Sequence, residues 1–320
     1  MSSLTRNPWL QFVIRRLLAT GLILVALVFA SFLMVHLVPG DPALAAIGIG
    51  GNRDQLIAVR HELGLDQPLG QQLLNYWMNL LHGNLGVSFA THVPVSEVIA
   101  QRAGYSINLA LVSLVLVLVL SVPIGMVAGA LTREGRHSYG EVAFTGITSI
   151  VSSVPEYLAG TFLAFVFAVV FRLLPVGGGE GWESLVLPTL AISLRPIAII
   201  ARIVRVETLN VLALDYMRTA RSKRLPARVL YLRHALPNVL TAALTVGGLL
   251  FAGLIGGAVV VENVFARPGL GTALTNAVLA RDYPLIQGII LVLGVMVVFV
   301  NAVVDLSLAL VDPRSLTKDG

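Results

Sequence analysis

Two kinds of position in this chain could do chemistry: ionisable side chains set inside long apolar runs, and a basic segment held between two such runs. Glu156 follows Pro155, Arg195 precedes Pro196, and Asp305 closes the last apolar run. A charge at the centre of a membrane helix costs roughly 2.5 to 3.5 kcal/mol on insertion scales, so each needs a partner, a polar path or an interface. All three readings stay open for Glu156 and Arg195, including pairing with each other. Asp305, with Asp312 beyond it, sits near enough to a boundary for ordinary solvation. The basic segment runs from Asp215 to Asn238 and carries Arg218, Arg221, Lys223, Arg224, Arg228 and Arg233 between two apolar stretches, so it must face water.

The constellations of an enzyme are missing. No G-x-x-x-x-G-K-[ST] loop cradles a nucleotide, so any ATP must be bound by another chain. No H-E-x-x-H motif offers zinc ligands, and His36, His61, His82, His92, His137 and His234 have no ligand-like spacing; no metal site is expected. A G-x-S-x-G elbow is absent, and with no cysteine there is no thiolate, disulfide or cysteine nucleophile. Gly177-Gly178-Gly179 lacks the strand before it and the helix after it that a phosphate loop needs, and reads as a loop. No catalytic residue is assigned.

The elements that position these groups must be membrane helices. The chain is 56% hydrophobic and 12% charged, with a mean hydropathy of +0.86, against about 25% charged residues in soluble domains. A net charge of +5 invites a nucleic-acid reading, but aromatics are few and the basic residues flank apolar spans, so nucleic-acid binding is not expected. A spanning helix needs about 20 apolar residues, because lipid offers backbone amides no partner. Six segments meet that test: 17–38, 106–131, 142–171, 185–204, 239–261 and 284–304. The first follows Arg15-Arg16 but is too long for a cleaved signal and reads as an uncleaved helix. The predicted fold is therefore an all-α membrane protein of six transmembrane helices.

Placing residues 1–16 in the cytoplasm puts 15 of the 22 Lys and Arg there, including Arg6, Arg133, Arg136, the stretch from Arg202 to Arg233, Arg314 and Lys318. The positive-inside rule then predicts that both termini (1–16 and 305–320) and the loop 205–238 are cytoplasmic in a cell-membrane protein. Residues 39–105 become a small extracytoplasmic helical subdomain. Within it Asn52 and Gln55 make a capping pair, Gly64 a helix stop, and Leu69, Leu73, Tyr76 and Leu80 an apolar stripe facing the bilayer or the membrane helices. The loop 262–283 carries a second, short helix through Leu270, Leu274 and Val278. The fifth span places Gly253 and Gly257, and Ala252 and Gly256, four apart; such faces let helix backbones approach closely, for static packing or for sliding along a translocation path.

In the basic loop, periodicity predicts a helix from Leu214 to Lys223, a bend at Leu225-Pro226, and a second helix from Ala227 to Leu236. Arg218, Arg221, Ser222 and Leu225 share a face suited to a cleft on a partner. This pattern resembles the cytoplasmic loop of binding-protein-dependent ABC importer permeases, E-A-A, three residues, G, nine residues, I-x-L-P, with Arg218-Thr219-Ala220, Arg224, His234 and Leu236-Pro237 at the matching positions. The R-T-A-R-x-K version is similar to the dipeptide, oligopeptide and nickel permeases. The likeness extends through Val38-Pro39-Gly40-Asp41-Pro42, Glu62 to Pro68, Gly83 to Phe89, Leu174 to Gly178, Val261 to Phe265 with Pro268 to Gly271, Arg281 to Pro284, and Asp312-Pro313-Arg314.

The resemblance implies that Asp215, Tyr216, Arg218, Thr219, Ala220, Arg221, Ser222, Lys223, Arg224 and Leu225 form a coupling helix seated in a cytoplasmic ATPase. Leu236 and Pro237 would pass its motion into the fifth span by alternating access. It implies two ABC ATPase subunits or domains holding ATP and Mg, none of it in this chain, together with an extracytoplasmic substrate-binding protein and a second homologous permease in a heterodimer, with a homodimer as the alternative. Membrane lipid is the remaining partner. It implies di- or oligopeptide import, with a nickel chelate or another small solute as the alternative. A secondary transporter would instead need central carboxylates, of which only Glu156 is suitably placed, and a receptor or scaffold would recruit a partner without transport. One departure stands out: the family has glycine where this chain has Arg224. Either the turn there is right-handed, or Arg224 adopts a left-handed conformation at a cost of about 1 to 2 kcal/mol and is compensated by a contact with the ATPase.

Overall fold

Thirteen helices follow from long apolar runs punctuated by proline and glycine in the computed structural model, which describes residues 8–37, 41–47, 52–133, 138–178 and 181–311. Arg6, Val38-Pro39-Gly40, Arg136, His137, Gly179, Asp312-Pro313-Arg314, Lys318 and the side chain of Asp305 lie outside the described residues. In chain order the helices are α1 (Pro8–Leu37), α2 (Pro42–Ile47), α3 (Arg53–Glu62), α4 (Leu69–Leu81), α5 (Val95–Leu131), α6 (Ser138–Ser153), α7 (Glu156–Leu163), α8 (Glu183–Ala213), α9 (Asp215–Ser222), α10 (Ala227–Val229), α11 (Leu236–Val264), α12 (Leu270–Ala280) and α13 (Tyr283–Val311). Five helical stretches are long and apolar enough to cross a membrane: Val13–Leu37, Val95–Leu131, Glu183–Ala213, Ala227–Val264 and Tyr283–Val304.

The expected third span, 142–171, is not one straight helix. It divides into α6 and an arm from Glu156 to Val170, bent by 94°. The cause is local. Pro155 offers no N–H and disfavours helical backbone at Val154, and Pro155 itself is extended (φ −62°, ψ 146°). At 1.5 Å per residue each arm is only about 22 to 24 Å long, short of the roughly 30 Å hydrocarbon core. The two arms therefore cross only together, giving a sixth, broken span, or else they form a re-entrant loop.

A second difference lies in the basic loop. The expected helix from Ala227 to Leu236 is no separate element: α10 continues through π-helical turns at Leu230–Ala235 straight into α11, so one rod runs from Ala227 to Val264. Pro237 cannot donate a backbone N–H, and the wider turns immediately before it absorb the change of hydrogen-bond register.

Helix packing sets the frame of the site. α5 and α8 make the most extensive helix pair, closest where Gly125 and Gly129 face Ala201, Val204, Arg205 and Thr208. A Cβ on Gly125 would stand 2.5 Å from the Ala201 carbonyl oxygen, so this approach requires glycine. One apolar cluster surrounds the α8–α9 corner, with Val204, Val211, Leu212, Met217, Leu230, Ala235 and Val239. A second lies midway along α5, α8 and α11, and a third unites α5, α12 and α13 through Val95, Leu270, Ala273 and Ile289. The exposed surface of α1 is apolar, with Leu17, Leu18, Leu22 and Val25 facing outward, as a lipid-facing helix requires.

Between α1 and α5, Asn52 caps α3 in a reciprocal capping box with Gln55, and Gly64 turns the chain at φ +66°. α4 rests on α1, where Tyr76 Oη lies 2.9 Å from Ser31 Oγ, and burial holds that phenol above its ordinary pKa, with the Ser31 hydrogen bond opposing. Leu69 is exposed along with Leu74, Met78 and Leu81, so the apolar stripe turns Leu73, Tyr76 and Leu80 inward and leaves Leu69 out.

Candidate functional site

α9 is only eight residues long, too short to persist alone, so its neighbours must hold it. Two side chains do this: Met217 is fully buried and Ala220 nearly so, both in the cluster at the α8–α9 corner, with Leu225 half-buried against it. The opposite face of α9 is polar and exposed. Asp215, Arg218, Thr219 and Ser222 stand along it at helical spacing, with Arg218 Nη1 3.3 Å from Asp215 Oδ1. Lys223 and Arg224 extend this surface beyond the last turn. Ala220, expected among the partner-facing residues, thus points into its own bundle, and so in part do Leu225 and Arg221.

The helix is fastened at both ends. Arg221 Nη2 donates to the Leu212 carbonyl of α8, and Leu214 alone separates α8 from α9. On the other side Asn238 Nδ2 donates to Tyr216 Oη at 2.8 Å, and that hydroxyl reaches the His234 carbonyl at 3.3 Å. Displacing α9 must therefore load α8 and the long Ala227–Val264 rod together. Leu236 is half-buried and Pro237 exposed, both inside that rod. Arg224 has φ +53°, so the turn that ends α9 is left-handed and the right-handed alternative is excluded. Its N–H donates to the Arg221 carbonyl at 2.8 Å.

α8 carries a second set of attachments. Arg195, Arg202 and Arg205, seven and three residues apart, share a face toward the bent α6–α7 pair. Arg195 Nη1 lies 3.5 Å from Glu156 Oε1, which realises the pairing open in the sequence. Arg202 donates to Ser149 and Ser152 at 3.2 and 3.3 Å. Arg205, buried, pairs with Glu141 at 2.7 Å and donates through Nε to Thr132 Oγ1 at 3.1 Å. The Arg195–Glu156 pair is half exposed and contributes little energy in water, whereas the Arg205 guanidinium is itself buried, though its partner Glu141 is half exposed. Arg205→Met is expected to destabilise the protein by about 1 to 3 kcal/mol, and a double-mutant cycle with Glu141→Gln to show coupling of about 1 kcal/mol or more in detergent unfolding. Independent effects would mean the pair bears no load.

At the far end of the bundle from α9, two buried carboxylates organise the loops. Glu262 Oε1 accepts from Ser106 Oγ at 2.6 Å, Oε2 accepts from Gly271 N at 2.7 Å, and Leu270 N donates to Ser106 Oγ at 2.8 Å, so the carboxylate seats the start of α12. A Cβ on Gly269 would stand 2.3 Å from that carboxylate. Asp282 accepts from Ser88 Oγ and from Phe89 N and Ala90 N at 3.1 and 3.2 Å, closing the 84–92 loop onto the α12–α13 corner. Sequence reasoning assigned neither carboxylate a role, nor Arg205. Glu262 lies one residue past the predicted end of the fifth span, and a charge so near an apolar run was the available signal.

The glycines of α11 do not act alike. Gly257 packs with 3.6 Å between its Cβ position and Ile192, whereas Gly253 and Gly256 meet nothing within 4 Å and lie on an open face with Leu249 and Val260. Among the described residues no group of three His, Asp or Glu side chains is placed to hold a metal ion.

Residues 121–316 match the family described as binding-protein-dependent transport system inner membrane component, and residues 9–110 match the N-terminal family of such membrane components. A provisionally named peptide transport system permease protein of Brucella suis biovar 1 is 39% identical over 292 residues, covering 89% of this chain and 92% of that protein. The glutathione transport system permease protein of Shigella flexneri serotype 5b is 36% identical over 304 residues, covering 95% and 98%. Among solved structures, the inward-facing MetNI methionine ABC transporter aligns with a TM-score of 0.53 at 16% identity, covering 68% of this chain and 97% of that one, a likeness of fold. By these matches the chain, a helical bundle with a short polar-faced helix between two membrane rods, belongs to the binding-protein-dependent inner-membrane permeases of ABC importers.

Proposed function

We propose that this permease imports short peptides, di- or oligopeptides, by alternating access, and that α9 is the lever by which paired cytoplasmic ATPases drive it. One observation carries the reading: the exposed Asp215, Arg218, Thr219 and Ser222 face stands on a helix bonded to the end of α8 and to the start of the Ala227–Val264 rod. Force applied there reaches two of the long helices at once. The relatives named for peptide and glutathione transport favour a peptide, glutathione itself being a tripeptide. In this reading ATP and Mg belong to the ATPases, an extracytoplasmic binding protein delivers the solute, and a second, homologous permease completes a heterodimer. The termini and α9 face the cytoplasm, the region 39–105 the other side. The exposed Gly253–Gly256 face of α11 then meets the second permease or the path.

Purification with the ATPases and the second permease, followed by uptake into proteoliposomes of a labelled peptide panel and a nickel chelate, tests this reading. Peptide uptake that requires ATP and the binding protein is expected. Uptake of the nickel chelate alone transfers the assignment to the alternative substrate, and uptake driven by an ion gradient without ATP overturns the lever.

Arg224→Gly supplies a sharper check. The change relieves up to about 1 to 2 kcal/mol of left-handed strain while deleting the guanidinium. The unfolding midpoint is expected to be no lower than the parent's, and substrate-stimulated ATP hydrolysis to fall severalfold. Unchanged coupling would remove Arg224 from the ATPase contact.

A further inference from the structure

At the end of the bundle opposite α9, a pocket of about 440 Å³ opens between the start of α8, the upper turns of α5 and the loop that follows α11. Tyr105, Asn108, Trp182, Leu185 and Arg267 line it. Its volume is that of a small-molecule site. Arg267 is the unusual member. It is 2% exposed, its Nε and Nη1 have no hydrogen-bond acceptor, and among the described residues no carboxylate oxygen forms an ion pair with it. The Tyr105 ring lies 5.6 Å from its Cζ. Glu262 supplies negative field, but its two oxygens are taken by Ser106 and by the start of α12. Burial pulls the guanidinium below its ordinary pKa, with Glu262 and Tyr105 pushing back. A buried cation with no carboxylate in contact is costly, and a pocket at its side lets an anion arrive from solution.

We propose that this pocket is a recognition subsite for the carboxylate of a short peptide in transit, with Arg267 receiving the carboxylate and Trp182 and Tyr105 flanking the adjoining side chain. The inference rests on the peptide reading above. The walls favour a solute over a lipid headgroup. Trp182 and Arg267 stand in the segments just before α8 and just after α11, outside both helices, and Trp182 is 75% exposed. A guanidinium binds a carboxylate by charge-assisted hydrogen bonds that a C-terminal amide cannot replace.

With Trp9 and Trp77, this chain's other two tryptophans, replaced by phenylalanine, the emission of the assembled complex less that of the same complex carrying Trp182→Phe reports on Trp182. Titration with Ala-Ala is expected to change Trp182 emission saturably, with the C-terminal amide at least about tenfold weaker. Arg267→Gln is expected to abolish that difference, and Arg267→Lys to restore part of it. N-acetylalanine against its amide repeats the comparison without a peptide. Equal binding of acid and amide overturns the proposal. So does acid binding unimpaired by Arg267→Gln, or a response only to phosphatidylglycerol in nanodiscs, which would assign the pocket to lipid phosphate. Should Arg267→Gln fail to assemble, the acid–amide comparison in the unaltered pocket decides. A complex that imports no peptide yet discriminates N-acetylalanine from its amide sinks the peptide reading, whereas one that imports peptides without any such discrimination sinks the subsite alone.

Discussion

Met217→Asp is expected to cut substrate-stimulated ATP hydrolysis in the assembled complex at least about tenfold while the membrane bundle remains folded. Met217 is fully buried among Val204, Val211, Leu212, Leu230 and Val239, and it is the larger of the two side chains that anchor α9 inward. A carboxylate there loses its hydration without gaining a designed partner, a penalty of several kcal/mol. An eight-residue helix has little stability of its own to oppose that penalty, so the cheapest escape is for α9 to leave its seat. The bonds from Arg221 to Leu212 and from Asn238 to Tyr216 would then go with it. Uptake and stimulated hydrolysis should fall by at least about tenfold, whereas Met217→Leu, nearly equal in volume, should cost less than about 1.5 kcal/mol and leave coupling intact. Normal coupling in Met217→Asp would show that the inward packing of α9 does not transmit the force.

Asp282→Ala should produce the largest loss of stability among single changes at the other end of the bundle. The carboxylate is fully buried and receives the Ser88 hydroxyl and the Phe89 and Ala90 amides, besides Leu285 N at 3.3 Å. Alanine leaves the buried Ser88 hydroxyl and Leu285 amide without an acceptor, whereas the partly exposed Phe89 and Ala90 amides can turn to water. At about 1 to 3 kcal/mol for each buried donor, a loss of roughly 2 to 6 kcal/mol is expected. Asp282→Asn keeps one acceptor oxygen and should fall between. The measurement is unfolding in detergent together with limited proteolysis, which should begin in the 84–92 loop. An intact loop in Asp282→Ala would mean that the α12–α13 corner is held by apolar packing alone.

Local features are legible in the sequence alone. The Asn52–Gln55 cap depends on residues three apart, and the apolar runs depend on composition within a window of about 20 residues. α9 was readable as a helix for the same reason, and its resemblance to a coupling segment pointed to its role. Which of its faces turns inward was not readable. Arg218, Arg221, Ser222 and Leu225 do share a helical face by spacing, but the bundle claims Met217 and Ala220, leaving Arg221 and Leu225 half covered and Arg218 and Ser222 in the open. The break at Val154-Pro155 was available in the sequence, since proline disfavours helical backbone before it, yet the 94° angle between the two arms was not.

The sequence by itself determined where the chain is apolar, where it must face water and which family it resembles, because a bilayer acts on each segment through its own composition. Only the tertiary structure decided which polar groups meet. Ser106 and Glu262 are 156 residues apart, Ser88 and Asp282 are 194 apart, and Arg205 reaches Thr132 across 73. No periodicity along the chain encodes such pairs. They form because helices already committed to the membrane pack side by side, and because a buried hydrogen-bonding group, once brought there, must find a partner. Arg267 belongs to the same class: the sequence shows a basic residue in a loop, and only the fold shows that it is buried beside an open pocket.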